Sequence, residues 1–414
     1  MSEWKEYKLG DCVEMQKGFA FKSSDYINHG IKIIKVSNLN QYRFDDNSCV
    51  FISPILAEQF SRYSLVEDDI IISTVGSWPT NPESVVGKVC RVPKIINGSL
   101  LNQNAVRLRV KHNFNQRFLY YILSGSKFSS FIANTAQGSA NQASITLEDI
   151  RSYEFISPSI KGQEEIVSIL KSLDDKIEVN RRIIENLEHQ AQTLFKHWFV
   201  DFAPFKDGKF VESEIGMIPF GWEYKSILDN EYFRLCKSKV HPFSGEKKYY
   251  ATANVDGKDI CGTPDVVTYD HRPSRADVVP CKNSIWFARM SKSYKILNCY
   301  GASNWLSEEA IISTGFCGIT TEPEFYGFVY FYLISETFDK LKDLYATGTT
   351  QISLTNQGLA NIKVLLPPKS EIILFSEFAA PIIEEIESCK YENIRLSETR
   401  DLLLPKLMSG QIKL

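Results

Sequence analysis

GQEEIVSILKSLDDKIEVNRRIIENLEHQAQTLFKHW, residues 162–198, is the stretch from which the rest of the chain can be read. Its apolar positions are Ile166, Leu170, Leu173, Ile177, Ile184, Leu187, Ala191, Leu194 and Trp198, alternately four and three apart, with Asn180 filling the one gap. A period of 3.5 residues sustained over more than four heptads is the seam of a coiled coil. At about 1.5 Å per residue such a helix is about 50 Å long. It cannot bury that seam on itself, so it needs a partner helix.

An internal repeat supplies the partner. FLYYILSGSKF at 118–128 matches FVYFYLISETF at 328–338, and Gly138 matches Gly348 at the same offset of 210. One residue is then lost, and at an offset of 209 Gln142 pairs with Gln351, Ile145 with Leu354, Pro158 with Pro367, Ile166 with Phe375, Ile177 with Ile386, Leu187 with Leu396 and Leu194 with Leu403. The copies also open alike, with WKEYKL at 4–9 and WEYKSI at 222–227, whereas the roughly hundred residues that follow each opening barely align.

Within each copy the pattern predicts a strand-rich part, a shorter helix and then the long helix. IKIIKVSNL, DDIIISTVG, VVGKVCRV and AVRLRV in the first copy are β-branched runs bounded by Gly, Pro, Asn and Asp, as strands are. KKYYATANV, NSIWFARM, YKILNCYGA and AIISTGFCGI play that part in the second, and the period predicts shorter helices over 116–133 and 326–344. DFAPFKDGKFVESEIGMIPFGW, with three glycines and two prolines, reads as a linker. The second long helix is expected after Pro367-Pro368, with Ser370 as N-cap, running at least to Leu404 before Pro405.

The offset carries the seam onto Phe375, Ala379, Ile382, Ile386, Cys389, Asn393, Leu396, Arg400, Leu403 and Leu407. If the helices run antiparallel with Ile166 opposite Leu407, then Asn180 and Asn393, each fourteen residues in, face each other. A buried Asn pair fixes register at some cost in stability. Two tandem units on an antiparallel pair are related by a pseudo-twofold axis, which suits a bipartite target such as two DNA half-sites.

Composition bounds the rest. A 414-residue chain with 43% hydrophobic and 23% charged residues is a globular protein of two or three domains. Nine cysteines without a CxxC pair fit reduced thiols, there is no basic-apolar leader at Met1-Ser2-Glu3-Trp4, and no apolar run approaches about 18 residues, so a cytoplasmic protein is expected. Enzyme signatures are missing. Gly87-Lys88, Gly208-Lys209 and Gly257-Lys258 lack the Ser or Thr of a phosphate loop, and Pro367-Pro368 follows Leu366 where an amino-methyltransferase has Asn or Asp. Pro264-Asp265 has no Glu-x-Lys behind it, and the six histidines show no metal spacing; His189 and His197 read as a solvent-facing pair.

Taken together, these features resemble the specificity subunits of type I restriction-modification enzymes, over essentially the whole chain. The carriers are the tandem layout and the Trp4…Leu9-Gly10-Asp11 opening. With them go the Gly138…Gln142…Ile145 and Gly348…Gln351…Leu354 loops leading to Pro158 and Pro367-Pro368, the Trp198-Phe-Val-Asp-Phe202 segment, and LLPKLMSG at 403–410. The first copy departs in reading Gly162-Gln163-Glu164 after Pro158. The resemblance implies an α+β chain of two tandem α/β target-recognition domains at opposite ends of a long antiparallel two-helix coiled coil. On the numbering here these are a first recognition domain over 1–158, a central helix over 159–200, a linker over 201–221, a second recognition domain over 222–366 and a C-terminal helix over 367–414. It further implies a non-catalytic subunit that reads an asymmetric bipartite site in double-stranded DNA, with the helices as spacer and docking site. Two methyltransferase subunits and two restriction and translocase subunits would join it, and S-adenosylmethionine, ATP and Mg²⁺ would belong to those partners. A coiled-coil adaptor that binds only protein is the alternative.

The overall charge of −3 is not that of a freestanding DNA-binding domain, but twelve Lys and Arg against six Asp and Glu between Arg234 and Lys295 give a local +6. Residue types that hydrogen-bond base edges or phosphates in turn-rich stretches are Lys22, Asn38, Arg43, Ser77, Trp78, Asn102 and Gln103 in the first domain. In the second they are Lys237, Lys239, Arg272, Arg275, Arg289, Lys292 and Lys295. The Gly138–Gln142 and Gly348–Gln351 loops recur in both copies, so they read as shared structural or backbone-phosphate loops.

Overall fold

A computed structural model describes residues 4–38, 49–78, 86–111, 114–139, 142–349 and 351–412. The chain divides into two compact units, Met1–Asp174 with Glu398–Leu414, and Asp175–Ser397. Both are mixed α/β.

Each unit holds a four-stranded antiparallel sheet of the same order. In the first unit it runs Val13–Lys17, Ala105–Val110, Ile70–Ser73, Val89–Arg91. In the second it runs Arg234–Cys236, Phe316–Thr320, Ser284–Ala288, Ile296–Cys299. Beside it lies a second sheet, of three strands in the first unit and four in the second, containing one parallel pair, Ile31–Ile34 with Leu100–Leu101 in one unit and Lys247–Tyr250 with Ala310–Ser313 in the other. The hundred residues that scarcely align thus carry one topology. What they share is burial: Ile70, Ile71 and Ile72 in one central strand and Ile285, Trp286, Phe287 and Ala288 in the other are all inside. Apolar character on a fully covered strand is enough, whichever residue provides it.

The echoed openings have a structural reason. Lys5–Lys8 pairs antiparallel with Glu154–Ser157, and Glu223–Ser226 with Lys363–Leu366. In each copy the first strand closes on the last, just before the long helix.

Several expectations need correction. The shorter helix is two helices in each copy, Gln116–Leu123 then Ser126–Thr135, and Tyr326–Leu333 then Glu336–Leu344. Gly125 and Ser335 take extended conformations as N-caps of the second pieces, and the Ser335 hydroxyl accepts from the Phe338 N–H. The tails of IKIIKVSNL and KKYYATANV are 3₁₀ turns, Val36–Asn38 and Thr252–Asn254. AIISTGFCGI is two strands, Ala310–Ser313 and Phe316–Thr320. The segment read as a linker is built: a 3₁₀ turn, Ala203–Phe205, precedes a hairpin of Phe210–Ser213 and Gly216–Pro219. Phe202, Phe205, Ile218 and Trp222 hold it to the core of the second unit.

The long helices are Ile160–Phe199 and Lys369–Met408, 40 residues each. Ser370 is not the N-cap. The helix has begun before it, its hydroxyl bonds the Glu371 carboxylate, and the Pro368 carbonyl accepts from the N–H of Glu371 and Ile372. Neither Pro381 nor Pro405 ends the second helix. Each is exposed, as are Glu377 and Asp401, whose carbonyls lose the missing N–H partner, so water can satisfy them.

Within the second unit the helices run antiparallel. Ile184 clusters with Ile386 and Cys389, and Phe195 and Phe199 pack on Phe375. Asn180 is fully buried, and its side-chain N–H donates to Asn393 Oδ1 at 3.0 Å, the predicted contact, and to Glu392 Oε2 at 2.7 Å. In the first unit Ile166, Val167 and Leu170 cluster with Leu407, again antiparallel. Arg400, the charged residue in the seam, meets Asp174 at 3.0 Å, and Asp174 also accepts from the Tyr121 hydroxyl at 2.6 Å. His189 and His197 face solvent. Among the described residues no helix is long and apolar enough to cross a membrane.

Candidate nucleic-acid interface

In both units the buried central strand runs out into a polar segment against which the recurring glycine loop folds back. In the first, Gln137–Ser139 and Gln142–Ser144 form a hairpin whose second strand pairs with Val75–Gly76. Ser77 and Trp78 follow directly, and the Trp78 indole N–H donates to the Ser139 carbonyl at 2.8 Å. In the second unit Met290 bridges Ser353, and the Ser291 N–H donates to the Ile352 carbonyl at 3.0 Å. Lys292 comes next.

The glycines of these loops have a steric cause. A Cβ on Gly138 would overlap the Gln142 carbonyl oxygen, and one on Gly348 that of Gln351. The same close approach explains why Gly and Gln recur together at nearly one offset. Thr146 and Thr355, also 209 apart, each cap the short helix that follows, accepting from the N–H of Asp149 and Gly358. The loops are therefore frame, and the residues beside them differ between the units.

On this frame the candidates separate. Lys22 and Gln103 are exposed in the first unit. Asn102 is half-buried, its backbone N–H held by the Ile34 carbonyl. Ser77 and Trp78 are half-buried at the loop. Asn38 is fully buried and accepts from the Lys35 N–H at 2.8 Å, so its amide shapes a 3₁₀ turn instead of facing a ligand. Arg43 lies outside the described residues.

Lys237, Lys239, Arg275 and Lys292 are exposed in the second unit. Arg272 is turned inward: its guanidinium donates to the Tyr269 and Ala276 carbonyls, lies 3.3 Å from Asp277 and stacks on the Tyr269 ring. Arg289 donates to the Leu354 carbonyl and Asn356 Oδ1, both at 2.9 Å, and so braces the glycine loop. Lys295 donates to the Thr252 carbonyl at 2.9 Å.

The local excess of positive charge shrinks on inspection. Lys258 is buried against Glu188 of the first long helix; burial pulls its ammonium below the ordinary value, and the carboxylate only partly opposes this. Arg234 pairs with Glu322 and Lys282 with Glu308. Of the cations left, Lys237, Lys239 and Lys247 line a cleft of about 640 Å³ together with His241, Phe243 and Cys281. His241, Phe243, Lys247 and Cys281 were not singled out from the sequence. The cation density of Lys237-Ser-Lys-Val-His241 was the available signal, but only the fold brings it beside Cys281.

Two tandem α/β units of the same sheet order, with constant loops and differing side chains beside them, define a modular recognition protein. Residues 1–189 match the family model described as a type I restriction modification DNA specificity domain. The chain is 25% identical to the type I restriction enzyme HindI specificity subunit of Haemophilus influenzae, over the full length of both. It is 24% identical to the putative MjaX specificity subunit of Methanocaldococcus jannaschii, over 99% of this chain and 94% of that protein. The MjaIX specificity subunit of the same organism is 26% identical over the same shares. The chain is thus similar along its whole length to type I restriction enzyme specificity subunits, and its first 189 residues match their DNA specificity domain.

Proposed function

We propose that this chain is the DNA sequence-specificity subunit of a type I restriction-modification complex, reading a bipartite asymmetric target with one half assigned to each unit. The observation that carries the reading is the constant frame with changed side chains. The same strand order and the same glycine loop hold Ser77-Trp78 in one unit and Ser291-Lys292 in the other. A surface meant for one partner would have no reason to repeat its frame and vary its face; two unlike half-sites require both. Lys22, Lys237, Lys239, Arg275 and Lys292 take phosphates, and Ser77, Trp78, Asn102 and Gln103 lie nearest to bases.

The paired long helices act as spacer between the two recognition domains and as docking site for two methyltransferase subunits, which two restriction and translocase subunits join. S-adenosylmethionine, ATP and Mg²⁺ are used by those partners, this chain performs no chemistry, and the complex works in the cytoplasm. The test is a gel shift on randomised duplexes with the methyltransferase subunit present. Recovery of a two-part consensus with a fixed gap is expected. No sequence preference at all would favour a protein-only adaptor.

A further inference from the structure

The cleft between Lys237–Phe243 and Val279-Pro280-Cys281 has a pair of thiols at its edge. Cys236 and Cys281, 45 residues apart in the chain, bring their sulfurs to 2.6 Å. Cys236 ends the edge strand Arg234–Cys236, and Cys281 lies in the crossover between Ala276–Val278 and Ser284–Ala288, so the pair joins the two sheets of this unit. All nine cysteines are free thiols. Burial pushes Cys12, Cys90 and Cys317 up to about 11 and Cys299 to about 12, which makes them poor nucleophiles. Cys281 goes the other way. The Cys236 thiol hydrogen-bonds its sulfur and favours the thiolate against the burial that opposes it, while Cys236 is held protonated.

We propose that Cys236 and Cys281 form a reversible thiol-modification site, oxidised to an intramolecular disulfide by a small disulfide such as glutathione disulfide and reopened by a dithiol. The Cys281 thiolate attacks one sulfur of glutathione disulfide, forming a mixed disulfide and expelling a glutathione thiolate. Cys236 then loses its proton to solvent and attacks the Cys281 sulfur, expelling the second glutathione. Two protein thiols are oxidised and one small disulfide is reduced to two thiols. The sulfurs close by about half an ångström to reach the roughly 2.05 Å of the bond. The bond tethers the start of Lys237–Phe243, where the Ser238 hydroxyl bonds the Val279 carbonyl and the Val240 N–H reaches the Asp277 carbonyl at 3.4 Å. The inference is independent of the DNA reading.

The test treats the folded full-length chain with glutathione disulfide, titrates thiols and maps peptides without reduction. Titratable thiols should fall from nine to seven, with one new cross-link joining the Cys236 and Cys281 peptides, and dithiothreitol should restore nine. Cys236→Ser should trap a glutathione adduct on Cys281, and Cys281→Ser should leave Cys236 unmodified. Trypsin should cut after Lys237 and Lys239 more slowly in the oxidised chain. Nine surviving thiols, adducts scattered over other cysteines without the cross-link, or unchanged cleavage would overturn the proposal.

Discussion

Replacing Asn180 and Asn393 by alanine, singly and together, tests the register of the helix pair in the second unit. Asn180 gives one hydrogen bond to the Glu392 carboxylate at 2.7 Å and one to Asn393 at 3.0 Å, while its own Oδ1 is buried without a partner. The first bond, to a charged group, contributes roughly 1.5–3 kcal/mol and the second roughly 0.5–1.5. Against these, alanine removes the orphaned oxygen, whose burial costs roughly 1–3 kcal/mol, and gains about 0.6 kcal/mol of helix propensity. Asn180→Ala should therefore destabilise by only about 1 kcal/mol, a drop of about 2–4 °C in melting temperature for a unit of this size. The small net effect hides a coupling of similar size. A double-mutant cycle by urea denaturation should return about 1 kcal/mol between the two positions, because the amide–amide bond can be lost only once. A coupling within the roughly 0.3–0.5 kcal/mol scatter of independent sites would mean that the two amides are solvated separately, and the register argument would fall.

Three further outcomes follow from the same geometry. Lys237→Ala and Lys239→Ala should each lower the slope of log affinity against log salt by about 0.9 without changing the melting temperature; an unchanged slope would route DNA elsewhere. Burial raises the Asp68 carboxyl, but hydrogen bonds from Arg117 and Arg91 outweigh it and hold the group below its ordinary value. Its stabilising contribution is thus complete above about pH 4, the free aspartate value, and is lost as the pH falls through the lower folded-state value. Asp68→Asn, which suits the left-handed backbone there (φ 68°), should lower the urea midpoint at neutral pH, with the difference closing in acid; a pH-independent difference would exclude the carboxylate. Gly138→Ala and Gly348→Ala drive a methyl into a backbone carbonyl, at a cost on the order of 1–3 kcal/mol. Each should blur one half-site in a randomised-duplex selection and spare the other, and intact selection of both would remove the loops from the frame.

The helices and the repeat were legible because their signals are periodic or self-similar. A seam from Ile166 to Trp198 and an offset of 209 were enough to bring Asn180 to Asn393. The sheets were legible as strands but not as a shared topology, since a covered strand asks only for apolar bulk: Ile70–Ser73 and Ser284–Ala288 fill one position with different residues. The hairpin within 201–221 was hidden by its own prolines and glycines, which mark turns without saying whether anything packs between them. The interface was the least legible part. Whether a polar side chain faces solvent or braces a turn depends on contacts far off in sequence: Arg289 reaches Leu354, and Lys258 reaches Glu188. Residue type alone cannot tell either from a phosphate ligand.

Those long-range pairs also limit how freely a recognition domain can be exchanged. The frame repeats, yet the polar groups joining each globular part to the helices do not. The first unit uses Arg400, Asp174 and Tyr121; the second uses Glu188 with Lys258, and Glu387 with Lys390 and Ser303. Lys258 belongs to the globular part and Glu188 to the first long helix. A graft of residues 222–366 onto a relative's helices that lack an acid at the position of Glu188 would leave Lys258 buried without its counter-charge. Breaking a buried pair in this way costs roughly 3–5 kcal/mol, a large share of the 5–15 kcal/mol that holds a typical domain together. Such a graft should fold poorly, and two repairs should rescue it equally: restoring the glutamate, or replacing Lys258 by methionine so that no charge needs a partner. Rescue by the glutamate alone would show that the ion pair orients the domain; rescue by neither would place the fault in the apolar contacts of the graft and not in its charges.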